Sequence, residues 1–269
     1  MKELLLGYVI QLLGLVGPIV LVGLVLELTT SRFLANTGKG GRIFFLATGF
    51  LGTPVHELSH AAMCLLFGHR IKRICLFSPN DKTGTLGYVD HRYNPKSVYQ
   101  QIGNFFIGIA PMLGGSLVLL LLLSLLLPDT YAVMANSMEL LSGTQMSPLS
   151  GETYRTVFAC LSDVLAALLA PSRLVTPAFW MFLAVALMIA LHMDISPADL
   201  QSAKIGFFVF AVLLLVVDAV SILLSKALFS EIVAVGFCVG CLVLLMMLPA
   251  VLLMVGALLV SYIIRVCKK

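Results

Sequence analysis

Ile43-Phe-Phe-Leu-Ala-Thr-Gly-Phe-Leu-Gly-Thr-Pro-Val-His-Glu-Leu-Ser-His-Ala-Ala-Met-Cys-Leu-Leu-Phe67 is an apolar run interrupted by His56, Glu57 and His60. A helix that crosses a bilayer needs roughly 20 predominantly apolar residues, and this stretch is long enough. The whole chain of 269 residues has the same character, with 60% hydrophobic and only 11% charged residues. Soluble domains carry about 45–50% apolar and about 25% charged residues. A soluble enzyme, a disordered chain and a nucleic-acid-binding domain are thereby excluded. The reading is an all-α polytopic membrane protein.

Working outward from that run, hydropathy marks about six spans: 4–28, 43–67, 102–127, 174–191, 205–224 and 232–264. The first is too long for the apolar core of a signal peptide, so it reads as an uncleaved anchor. The last exceeds one crossing and should tilt, kink near Pro249 or extend past the bilayer. The whole of 1–269 is expected to form one membrane-embedded domain. Its core covers about 43–127 and 174–224, with a loop or interfacial segment at 128–173 and the long C-terminal span at 229–265. Within 128–173, the apolar stretch 157–169 suits an interfacial helix or a re-entrant piece.

The loop after the second span alternates charged and apolar residues in Arg70-Ile-Lys-Arg-Ile-Cys-Leu-Phe77. A turn-rich stretch at 78–84 and then Thr85-Leu-Gly-Tyr-Val-Asp90 follow, which predicts a small β-hairpin at the membrane surface. Six spans would put both termini, this hairpin and the 192–204 loop on one side. That side would hold eleven of the 17 Lys and Arg residues. The positive-inside rule then makes it the cytoplasmic side. The expected location is the plasma membrane of a prokaryote. The six cysteines fall mostly in or beside apolar segments and do not resemble a secreted disulfide framework.

His56 and His60 are spaced i, i+4, so on a helix both imidazoles project from one face about a turn apart. That reach suits two nitrogens on one Zn²⁺, with Glu57 placed to act as general base on a water whose pKa the metal lowers. Chance puts this pattern in about 0.002 of chains of this composition. Three ionisable groups inside an apolar span are costly unless paired or metal-bound, so a functional site is the default reading.

Around these residues the sequence resembles the site-2 protease family, polytopic zinc metalloproteases that cut substrates within the membrane. The resemblance rests on His56-Glu-Leu-Ser-His60 in an apolar span, on Gly68-His-Arg-Ile-Lys-Arg-Ile-Cys-Leu-Phe77, and on Gly84-Thr-Leu-Gly87. It covers about 43–115 and 190–205. It implies that the β-structured segment aligns a substrate as an added strand, a mode that uses unpaired backbone groups at a strand edge. The hairpin side chains placed for that contact are Ile74, Leu76, Leu86 and Tyr88. Where the family has Gly-Pro-x-x-Asn, this chain has Ala110-Pro-Met-Leu-Gly114, with Asn104 about two turns earlier. The resemblance also implies an aspartate as third ligand. Pro197-Ala-Asp199 matches its Pro-x-Asp, although Leu200 and Gln201 replace the glycines. Ser196-Pro-Ala-Asp199 is equally a good helix start, in which Asp199 would only cap. Asp194 and His192 are alternative ligands in the same stretch.

Two functions follow. One is a zinc endopeptidase acting on transmembrane protein substrates in the bilayer, with His56, His60 and Asp199 as ligands and Glu57 as base. The alternative is a non-proteolytic membrane protein, either a transporter or a degenerate protease serving as a binding partner. Among other residues, Asp218 should face protein or a water cavity and not lipid; a helix–helix hydrogen bond is the favoured role, with support of the metal ligands or a proton route as the alternatives. Glu27 should snorkel at a span end, and Cys238 and Cys241 should pack in the core. Gly236, Gly240 and Ala234 suit close helix contact, and His69 and His91 should lie at the surface.

Overall fold

Hydrocarbon cannot hydrogen-bond a backbone amide, so apolar spans must satisfy their polar groups internally as helices. The computed structural model describes residues 1–79, 85–144 and 146–267. Part of the expected hairpin turn (80–84) and Lys268 and Lys269 lie outside the described residues. Eight helices carry most of the chain: α1 (Lys2–Leu66), α2 (Val98–Gly108), α3 (Ala110–Leu126), α4 (Pro128–Gly143), α5 (Gly151–Leu168), α6 (Pro177–Ala190), α7 (Pro197–Leu224) and α8 (Lys226–Cys267). Between α1 and α2, β1 (Arg70–Cys75) and β2 (Tyr88–Arg92) form a two-stranded antiparallel hairpin. The protein is thus a helical, membrane-embedded chain with one hairpin among the described residues.

Among the described residues, four helical segments are long and apolar enough to cross a membrane, or five when the bent pair α2–α3 counts as one. The first two expected spans are joined in α1, whose 65 residues would measure roughly 100 Å if straight, against about 30 Å for one bilayer core. Gly38 breaks that run with φ 57° and ψ −132°, a conformation that lacks penalty only for glycine. The third expected span is broken as well, with 58° between α2 and α3. The segment expected to be interfacial, α5 with its following turn, is among the candidate crossings. By contrast α6 has 14 residues, about 21 Å of rise, which is short for a crossing. α8 runs through Pro249 without interruption.

The chain divides into two compact units. The first comprises Met1–Val22, Leu120–Phe182 and Phe210–Leu248. In it the small residues of α8 allow the expected close approach, since a Cβ on Gly240 would meet the Gly14 carbonyl and one on Gly236 the Gln11 side chain. Cys241 is buried, and the Cys238 thiol lies 3.3 Å from the Leu141 carbonyl. Asp218 is fully buried, so it faces protein as expected, but the helix–helix hydrogen bond is not there: neither carboxylate oxygen has a hydrogen-bond partner among the described residues. Glu27, in the second unit, is exposed as expected.

The second unit comprises Gly23–Leu119, Leu183–Val209 and Pro249–Lys269. It contains the hairpin, whose register pairs Arg70 with Arg92, Ile71 with His91 and Cys75 with Tyr88, with a bulge between Ile71 and Arg73. The second strand therefore lies later than the expected 85–90, although Ser78 N–H still reaches the Leu86 carbonyl at 2.6 Å. One surface expectation is overturned. His69 is 4% exposed, and its Nδ1 lies 3.1 Å from Nδ1 of His91, itself only partly exposed. The sharp turn after α1 folds His69 inward instead of leaving it in the loop. Burial lowers the pKa of both imidazoles.

Candidate metal centre

His56 and His60 project from the same face of α1, as their spacing predicts. Each ring is held from behind by a backbone oxygen. Nδ1–H of His56 donates to the His192 carbonyl at 2.7 Å, and Nδ1–H of His60 donates to the Ile107 carbonyl at 2.7 Å. A carbonyl can only accept, so both Nε2 atoms are left with free lone pairs. These two nitrogens stand 3.1 Å apart. Such outer hydrogen bonds are how ligand histidines are usually oriented.

The third group comes from the start of α7. Asp199 Oδ1 lies 3.4 Å from His60 Nε2, and Oδ2 lies 3.8 Å from His56 Nε2. Two ligands on a tetrahedral Zn²⁺ with bonds near 2.0–2.1 Å stand about 3.3 Å apart, so the donor spacing fits such an ion with small closure. One ligand atom from each of His56, His60 and Asp199 falls within 4.8 Å of the others. Neither the His192 ring nor the Asp194 carboxylate joins that cluster among the described residues.

Asp199 also caps its helix. Its Oδ2 accepts from Ser196 Oγ at 2.5 Å and from Ser196 N–H at 3.3 Å, while Asp199 N–H donates to Ser196 Oγ at 3.2 Å. This is a reciprocal capping box. Capping and facing the histidines are not competing descriptions: the cap fixes the carboxylate that the histidines meet. The segment before it is irregular backbone, yet Leu191, His192 and Met193 are buried. Thr48 holds the His192 ring. Its hydroxyl donates to the Phe45 carbonyl at 3.0 Å and accepts from His192 Nε2–H at 3.2 Å, and Phe45 packs on the same ring at 4.3 Å.

A cavity of about 400 Å³ opens over the cluster, lined by Glu57, Leu86, Gly87, Tyr88, His91, Asp194 and Ser202 among others. Glu57 is 6% exposed and stands outside the converging donor set. Gly87 is where the hairpin meets it, since a Cβ there would lie 2.8 Å from Glu57 Cγ, from Thr53 Cγ2 and from the Cys75 carbonyl. Of the four hairpin side chains singled out, Leu86 and Tyr88 line the cavity, and Ile74 and Leu76 do not. Asn104 is buried away from it on α2, with Oδ1 3.5 Å from the Ser202 hydroxyl and Nδ2 unpartnered among the described residues.

Comparison with known proteins finds no matching family model, no matching curated protein and no matching solved structure.

Proposed function

We propose that the protein is an intramembrane zinc endopeptidase of the site-2 protease type. The observation that supports it most is the convergence of His56, His60 and Asp199 beneath one cavity whose wall includes Glu57 and the backbone of the 85–88 segment. In this reading His56, His60 and Asp199 would hold Zn²⁺, a three-residue protein ligand set of the kind catalytic zinc sites use. Bound there, Zn²⁺ would act as a Lewis acid and bring the pKa of a water towards neutrality.

The chain's own residues supply the rest. Glu57 takes a proton from the water that attacks the scissile carbonyl, then returns it to the departing amine. The His192 and Ile107 carbonyls keep both imidazoles in the tautomer that can bind metal. Gly87, lacking a side chain, lets an extended backbone run close to Glu57. A substrate span would unwind locally and lie against that segment, because amides within a helix are already hydrogen-bonded. The expected topology is six spans with the hairpin and both termini cytoplasmic.

The test uses the full-length protein in proteoliposomes with a panel of single-span fusion substrates. Wild type should cut within the span, while Glu57→Gln should retain zinc and cut none of them. Cutting by Glu57→Gln at the wild-type rate would refute the assignment of the base. A zinc-loaded wild type that cuts none of the panel would favour the non-proteolytic alternative.

A further inference from the structure

One turn beyond His60 on α1 lies Cys64, so His56, His60 and Cys64 continue a single i, i+4, i+8 stripe. Cys64 belongs to a second cluster that shares no residue with the first. One ligand atom from each of Cys64, His69 and His91 lies within 4.8 Å of the others.

Local folding explains how they meet. Just past α1, Gly68 takes φ +68°, with His69 N–H bonded to the Cys64 carbonyl at 2.8 Å and Gly68 N–H to the Leu65 carbonyl at 3.1 Å. These are the two bonds of a Schellman C-cap, a motif that usually sets a hydrophobic contact between the residues occupying these two positions. Here that contact joins a thiol and an imidazole. β2 adds His91, whose Nδ1 faces that of His69 at 3.1 Å. His69 Nε2–H donates to the Gln100 carbonyl at 2.8 Å, which leaves Nδ1 with its lone pair directed at the cluster. Gln100 Nε2 in turn donates to the Gly68 carbonyl at 2.8 Å, and Tyr93 stacks on the His69 ring at 5.2 Å. The arrangement repeats that of the first cluster: a carbonyl behind the ring and a free nitrogen in front.

We infer that Cys64, His69 and His91 form a second metal site, which takes a thiolate- and imidazole-preferring ion such as Zn²⁺ and clips β2 of the hairpin to the C-terminus of α1. One sulfur with two imidazole nitrogens suits Zn²⁺ or Cu⁺ and does not suit Mg²⁺ or Ca²⁺. The Nδ1–Nδ1 separation is close to the spacing of two ligands on one tetrahedral ion. On binding, the Cys64 thiol gives up its proton to solvent and coordinates as thiolate. Because His91 also lines the cavity above the first cluster, the clip would set the height of that wall. The site stands independently of the protease reading.

Cobalt substitution and metal counting test it on the full-length protein in detergent. Wild type should hold about two zinc ions per chain, and Co²⁺ loading should give a thiolate-to-cobalt absorption band in the near ultraviolet. Cys64→Ser and, separately, His91→Ala should each lose one ion and the band. The double variant His56→Ala, His60→Ala should lose one ion but keep the band, so failure of either site is read apart from the other. If wild type shows no thiolate band, or if the band and metal count survive both Cys64→Ser and His91→Ala, the three residues are only a packed thiol beside a hydrogen-bonded imidazole pair.

Discussion

His60 donates its Nδ1–H to the carbonyl of Ile107, and the residue four places after Ile107 is Pro111. In an uninterrupted helix that carbonyl would accept the amide of residue 111, but proline has none. The break between α2 and α3 therefore presents a backbone acceptor to the imidazole. Pro111→Ala should restore a competing N–H and weaken zinc binding by roughly 10–100-fold, the usual cost of losing an outer partner. Competition with a chromophoric chelator measures it, and an unchanged affinity would show that the broken helix has no part in holding His60.

Asp199 and Asp194 separate under substitution. Asp199→Asn should lose the first zinc and activity together, while Asp194→Asn keeps the zinc, because only the Asp199 carboxylate meets both Nε2 atoms. Ser196→Ala should cost about 1 kcal/mol of stability through the lost cap and weaken zinc less than Asp199→Asn does. Elemental analysis with thermal melts distinguishes the three variants. Zinc loss in Asp194→Asn alone would move the ligand to residue 194.

Gly87→Val places a branched side chain against Glu57, Thr53 and the Cys75 carbonyl, where even a Cβ has 2.8 Å. Zinc content should stay at the wild-type value, since none of the proposed ligands is touched. Turnover should fall on the order of 100-fold, as for a misplacement of about 1 Å at a reacting group. Wild-type turnover in this variant would mean that the 85–88 segment does not bear on the chemistry.

Asp218 should be a stability liability. A buried carboxyl without a hydrogen-bond partner costs about 1–3 kcal/mol. Asp218→Val, similar in shape, should raise the thermal midpoint in detergent at fixed scan rate and leave zinc content unchanged. A lower midpoint would assign the carboxyl a partner or role that outweighs this cost.

Much of the site can be read in the sequence because its chemistry is local. His56, Glu57 and His60 lie within two turns of one helix, and Ser196 and Asp199 carry the spacing of a capping box. The Arg70–Cys75 alternation identifies β1. The later start of β2 is not legible, because it depends on Gly87 packing against α1 and on the bulge after Ile71. His69 and His91 read as surface residues since polar loops usually lie outside. Gly68 after the helix signals a C-cap, but the strand register that carries His91 to His69 is tertiary. The shortness of the 14-residue α6 and the helical course of 29–42, which joins the first two spans, escape hydropathy for a similar reason: apolar content measures solubility in lipid and not where a helix starts or stops.

The two sides of the first cluster are made at different times. His56 and the His192 carbonyl that orients it are 136 residues apart, so at about 5–20 residues per second the ribosome delivers them on the order of ten seconds apart. During that interval the histidines and Glu57 occupy an apolar segment without the groups that complete their shell, while Cys64, His69 and His91 come from one short, contiguous stretch. If the proposed ion binds at His56 and His60, its tight capture would therefore come late in biogenesis. That capture would be timed by the docking of the 191–199 segment and not by the availability of the histidines, since a nascent chain ending before α7 lacks the Asp199 carboxylate that faces both rings.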